Sequence, residues 1–158
     1  MAVFYSFHYQ RDSKRVQLIE KMGALEGQTI LNYQKWEEVK SRGDKAIKNW
    51  IAEQMKWKSA VIVLIGKETA SREWVQYEIQ KAWDDKKPLL GICIHGLSSM
   101  GDVDSAGPNP FDRVHGVSGV PVFDPTRNDR LGRIDSKATY NTLADNLREW
   151  STQGKVRP

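Results

Sequence analysis

The chain has 158 residues, 39% of them hydrophobic and 28% charged, with a formal net charge of +4. That length and balance fit one domain around one hydrophobic core and exclude disordered and membrane-spanning classes. The Lys and Arg residues are dispersed along the chain, so the positive charge suits nucleotide phosphates as well as nucleic acid, and nothing in its pattern asks for nucleic acid.

The first strand signal is Val3 to Phe7, with no basic region before it. Neither a signal peptide nor a transmembrane span is expected, because the longest apolar run, Ala60 to Ile65, is far shorter than a bilayer requires. Ser13 to Met22 then places Val16, Ile19 and Met22 at helical spacing, and a short, weak strand signal covers Gln28 to Asn32. From Asp44, a plausible N-cap, to Lys58, a second helical stripe carries Ile47, Trp50, Ile51, Gln54 and Met55. Ser59 to Ile65 is apolar at nearly every position, as a parallel strand covered on both faces should be. A third helix over Ser71 to Asp85 carries Val75, Ile79 and Ala82 or Trp83, and Pro88 to Ile94 reads as the next buried strand.

Gly96 to Arg133 holds four of the six prolines with many Gly, Asp and Ser, so it predicts a long irregular segment over 96–133 with one short edge strand near Gly119 to Phe123. The C-terminal helix, 136–151, is capped by Asp135 or Ser136 and carries Tyr140, Leu143, Ala144, Leu147 and Trp150. Strands alternating with helices predict an α/β fold: a flavodoxin-like, doubly wound parallel sheet of about five strands with flanking helices. The lone cysteine, Cys93, sits among apolar neighbours and reads as a buried filler in a reducing, cytoplasmic compartment.

In such sheets ligands bind beyond the carboxyl ends of the strands, which here means His8 to Asp12, Asn32 to Trp36, Gly66 to Thr69, and His95. Several chemistries fail there. No glycine follows the first strand, which removes both the GxxxxGK(S/T) phosphate loop and GxGxxG. Phe4 to Phe7 supplies none of the clustered aspartates that a magnesium-dependent phospho-acceptor needs, no HExxH or CxxC spacing exists for zinc, and no GxSxG elbow presents a serine. Metal and resident cofactor are therefore not expected.

Two blocks do carry a specific signal: VFYSFHYQRD at Val3 to Asp12, and LIGKETASREWVQYEIQKAW at Leu64 to Trp83. Together they resemble the TIR superfamily, and within it the TIR-like branch of bacterial Thoeris anti-phage systems. The first block resembles that family's opening strand with its F-x-S-aromatic ending. The second resembles its strand followed by a W-V-x-x-E-I helix, whose glutamate is the family's catalytic residue and falls here on Glu78. By the same resemblance Trp74, Phe7, His8, Ser6 and Asn32 become substrate-binding candidates. The resemblance covers residues 1–95 and beyond Gly96 rests on topology alone.

The activity it implies is cleavage of NAD, as substrate rather than cofactor, at the nicotinamide–ribose bond. The product would be a cyclic ADP-ribose isomer, an ADP-ribose conjugate or plain ADP-ribose, acting as a nucleotide second messenger on a separate effector protein. Self-association is implied as well. One carboxylate suffices for such a reaction because the leaving group is already a cation and departs neutral, so no general acid is needed. The residues agree without the family: if Val75, Ile79 and Ala82 face the sheet, Trp74 and Glu78 share an adjoining face, a carboxylate beside an indole at a cleft edge.

Plainer readings stand beside these. A glutamate on an amphipathic helix is most often solvated; His8 can simply cap a turn; His95 can end a strand; Asn32 is a common turn residue; and Trp36, Trp50, Trp57, Trp83 and Trp150 read as core or interface aromatics. A non-catalytic TIR-like scaffold that assembles through its helices and loops is the competing function, and a nucleotide sensor without turnover is a third.

Overall fold

The computed structural model describes residues 1–31, 33–98 and 102–158. Its sheet contains β1 (Ala2–Ser6), β2 (Glu26–Gly27), β3 (Ala60–Ile65), β4 (Leu89–Cys93) and β5 (Val122–Phe123), every neighbouring pair parallel, in the order β2-β1-β3-β4-β5. This is the flavodoxin-like order with its reversal at β1. β3 lies at the centre because all six of its side chains are apolar and buried.

The helices are α1 (Tyr9–Lys21), α2 (Tyr33–Ser41), α3 (Asp44–Met55), α4 (Glu73–Asp84) and α5 (Ser136–Trp150). Right-handed crossovers place α1 and α5 on one face of the sheet and α2 to α4 on the other. Contacts between helices agree: Arg148 of α5 donates to the Ala24 carbonyl just past α1 at 3.4 Å, and the Lys48 ammonium of α3 lies over the Tyr77 ring of α4. One core runs through both layers, with Val16, Ile19, Leu143 and Leu147 on one side and Ile47, Ile51, Met55, Val75, Ile79 and Ala82 on the other. Among the described residues, no helix is long and apolar enough to cross a membrane.

Three differences from the sequence reading have physical causes. The second strand is Glu26–Gly27, not Gln28 to Asn32. Gln28 leaves the backbone ladder and replaces it with its side chain, whose amide accepts from Tyr5 N and donates to Tyr5 O, each at 2.8 Å. Gly27 beside it is required, since a Cβ there would sit 2.5 Å from the Tyr5 ring. The stretch after it, read as a loop, contains the helix α2, which among its described side chains buries only Trp36 and so shows no apolar period. At α3 the N-cap is Gly43, in the left-handed region at φ 95°, and Asp44 is the first helical residue instead of the cap.

Elsewhere the expected elements appear at nearly the expected bounds. α4 starts two residues later than Ser71 because Thr69–Ser71 forms a separate 3-10 turn. α5 is capped by Asp135, whose Oδ1 accepts from Ala138 N at 3.0 Å. Cys93 is half-buried, not a fully enclosed filler.

Candidate active site

At the carboxyl end of the sheet, β1 runs out through Ser6 into Phe7 and His8, and α4 packs across it. Ser6 is completely buried and its hydroxyl donates to Glu78 Oε1 at 2.7 Å. Glu78 is only 4% exposed. The sequence placed this carboxylate at a cleft edge, on a face adjoining the buried stripe. The structure puts it deeper, within the stripe formed by Val75, Glu78, Ile79 and Ala82.

No cation is paired with it among the described residues, and the single hydroxyl only partly offsets the loss of water. Burial accordingly pushes its pKa from 4.5 up to about 8, against the opposing pull of the Ser6 hydrogen bond. A buried acid without a counter-charge, in a cleft, is the type of group that functional sites hold.

The cleft over Glu78 is lined by Phe7, Tyr9, Trp36, Arg72, Trp74 and Val75 and encloses about 20 Å³. Phe7, Tyr9 and Trp36 form a continuous stack, with ring centroids 4.3 Å and 4.7 Å apart. Trp74, half-buried, meets Tyr77 edge-on at 5.4 Å and forms the opposite wall. The Tyr9 hydroxyl is buried and makes no well-formed hydrogen bond among the described residues, although the Gln28 side chain interacts with it. Its pKa is raised, first by burial and then by the charge of Glu78.

Of the sequence-predicted residues, Phe7, Trp74 and Glu78 thus converge on one cleft, with Ser6 behind Glu78. His8 does not line it. Its Nδ1 accepts from Arg11 N at 3.2 Å and caps α1, the plainer of its two readings. Burial, followed by the Arg72 charge, lowers its pKa and favours the neutral ring. Asn32 lies outside the described residues. His95 is buried near Thr126, away from this cleft, with its Nδ1 unpartnered among the described residues. The sequence did not single out Tyr9, Trp36 or Arg72 as site residues. Tyr9 and Trp36 stood in the rim segments, but only the packing of α2 shows that they meet.

A larger opening of about 460 Å³, lined by Met55, Lys56, Trp57, Lys81 and Lys87 among others, lies where α3 and α4 end and β3 and β4 begin. It is at the amino end of the strands, opposite to where open α/β sheets bind ligands, and it holds no convergent buried acid.

A parallel sheet in this order, with a buried glutamate on the helix after its central strand, defines the class as TIR-like. The family model for the Thoeris protein ThsB, TIR-like domain, matches residues 4–99. Over 116 residues the chain is also 34% identical to a Bacillus cereus (strain MSX-D12) protein named "Putative cyclic ADP-D-ribose synthase ThsB1", a match spanning 70% of this chain and 60% of that protein. The chain belongs to the Thoeris ThsB TIR-like family.

Proposed function

We propose that this chain is a cytoplasmic enzyme of anti-phage defence that cleaves NAD at the nicotinamide–ribose bond and releases an ADP-ribose-type nucleotide, cyclic or linear, to act on a separate effector. The observation that carries the reading is the Glu78 carboxyl, 4% exposed and held, among the described residues, by the neutral Ser6 hydroxyl alone, at the floor of a cleft walled by aromatic rings. A buried acid without a cation of its own gains most from a cation arriving with the substrate. The printed name of the Bacillus cereus relative supports the same substrate.

In the reaction the bond from ribose C1′ to the pyridinium nitrogen breaks and its electron pair leaves with nicotinamide, which departs neutral. Positive charge passes to the ribose as an oxocarbenium ion, and the ionised Glu78 stabilises it through space. A nucleophile then bonds to C1′: a group of the same ADP-ribosyl unit closes a ring, whereas water gives ADP-ribose and loses its proton to solvent. Aromatic walls exclude bulk water and strengthen the field of the carboxylate.

Purified protein incubated with NAD, with nicotinamide followed by chromatography, tests this. Glu78→Gln keeps the shape and the Ser6 contact, and its expected rate is lower by about 10²–10³, the scale of removing one preorganised electrostatic group. Equal release by both proteins would remove Glu78 from the chemistry. The scaffold reading draws on the narrowness of the cleft, since 20 Å³ admits no dinucleotide until a wall moves; no release by wild type in any assembly state would favour it.

A further inference from the structure

The cleft at Glu78 continues outward. A second opening of about 430 Å³ is lined by Lys40, Ser71, Arg72, Glu73 and Trp74, and it shares Arg72 and Trp74 with the first. Among the described residues Arg72 is therefore the one cation that borders both spaces.

Arg72 is partly buried, and its guanidinium makes no ion pair or side-chain hydrogen bond with any described residue. Arg11 and Arg15, by contrast, are held by Glu68, Asp104 and Asp12. A guanidinium beside a cleft with no acceptor of its own is free to take an anion that enters it. Lys40, across the opening, pairs with Glu37 at 2.7 Å and lies over the Trp36 ring, so it contributes a weaker outer charge. The acid on this rim, Glu73, is exposed, where solvent screens it.

Arg72 is the N-cap of α4 and Glu78 lies within the helix, about 9 Å further along its axis. With a nicotinamide ribose at Glu78, the next anionic group of the substrate lies one ribose outward, in the second opening.

We propose that Arg72 is a specificity-determining residue that holds the diphosphate bridge of the substrate, with Lys40 at its outer edge, so that the site selects dinucleotides and ADP-ribose over unphosphorylated nucleosides. This rests on the NAD reading of Glu78 and adds to it the recognition of the non-reacting half. A planar guanidinium grips two phosphate oxygens at once, which an ammonium cannot reproduce.

The test is a calorimetric titration of wild type, Arg72→Gln and Arg72→Lys with ADP-ribose, with inorganic pyrophosphate as competitor and circular dichroism as a check of folding. The expected result is ADP-ribose affinity about tenfold or more lower in Arg72→Gln, part of it retained in Arg72→Lys, and competition by pyrophosphate in wild type alone. Equal affinity in wild type and Arg72→Gln, or no binding of ADP-ribose to wild type, would overturn the proposal; an unfolded Arg72→Gln leaves Arg72→Lys to decide by the same comparison. Arg72-dependent binding of ADP-ribose by a protein that never releases nicotinamide would instead sink the catalytic reading and leave the subsite standing. NAD cleavage with an unchanged KM in Arg72→Gln would do the reverse.

Discussion

Among the described residues, Asp12 and Glu78 are both buried at the carboxyl end of the sheet and burial raises the pKa of each, but they differ in whether a cation sits beside them. Asp12, fully enclosed on α1, accepts from Arg15 at 3.1 Å. That arginine also reaches the Leu97 carbonyl at 2.8 Å, the Asp102 carbonyl at 3.2 Å and Asp104 at 3.4 Å. Arg11 extends the network by joining Asp104 to Glu68. Gly66 lies against Asp12, and Gly107 presses on the Gly66 carbonyl, so no side chain fits between. The result is a clamp that ties the irregular segment to α1 and the end of β3. Glu78 has one neutral hydroxyl and an opening. The acid that already owns a cation is structural; the acid that lacks one is the acid that a cationic ligand can complete.

The comparison breaks most readily at Arg15. Arg15→Ala strands the Asp12 charge in the interior and frees the irregular segment, and loss of one partner from a buried pair costs about 3–5 kcal/mol. That is a large share of the stability of an ordinary domain. Chemical denaturation of wild type and variant measures it. A loss below about 1 kcal/mol would place the pair among ordinary surface salt bridges and remove the distinction.

Glu78 should behave in the opposite sense. Its folded pKa, about 8, is raised above the ordinary 4.5, so between those values the native state binds more proton than the unfolded state. The contribution of Glu78 to stability is therefore fully present below pH 4.5 and is lost as pH rises through about 8, where the buried charge must form. Glu78→Gln removes that burden. The variant should match wild type near pH 4.5 and exceed it by on the order of a few kcal/mol at pH 8.5, while losing activity. A difference between the two unfolding free energies that stays flat across this range would show that the carboxylate is solvated after all.

How much of this was legible depended on whether the signal was local. β3 and β4 announce themselves as continuous apolar runs, and α5 as a capped stripe, because burial on both faces or on one face writes a period into the sequence. β2 was misplaced because a glutamine amide can imitate two backbone groups, which no pattern of hydrophobicity records. α2 escaped because Trp36 is the one described side chain that it fully buries. Glu78 was found from its motif, but its depth was not, since a polar residue inside a buried stripe looks from sequence like one beside it. Arg72 was invisible for a further reason: what marks it is that no described carboxylate pairs with it, although Glu73 and Glu78 border the same openings, and that is a property of the whole fold. The Asp12–Arg15 pair, three residues apart, was open to reading as a helical ion pair, though not its burial.

The finest distinction concerns the Ser6 hydroxyl, the one polar contact that Glu78 makes among the described residues. It favours the ionised form and so works against burial. Ser6→Ala should raise the Glu78 pKa further above about 8, since only the desolvation remains. If the ionised acid is the working form in the free protein, kcat/KM of wild type climbs with pH through about 8 and levels off above it. In Ser6→Ala the climb moves to higher pH, and at pH 7 kcat/KM drops by about tenfold, the scale of one hydrogen bond to a charged group. At a pH above both midpoints the two proteins should converge, which a simple loss of packing at Ser6 would not produce. A carboxyl titration of Glu78 followed by NMR reads the same shift without turnover. A midpoint that does not move, or a rate deficit equal at every pH, would mean that Ser6 only fills space and that the tuning of Glu78 comes from burial alone.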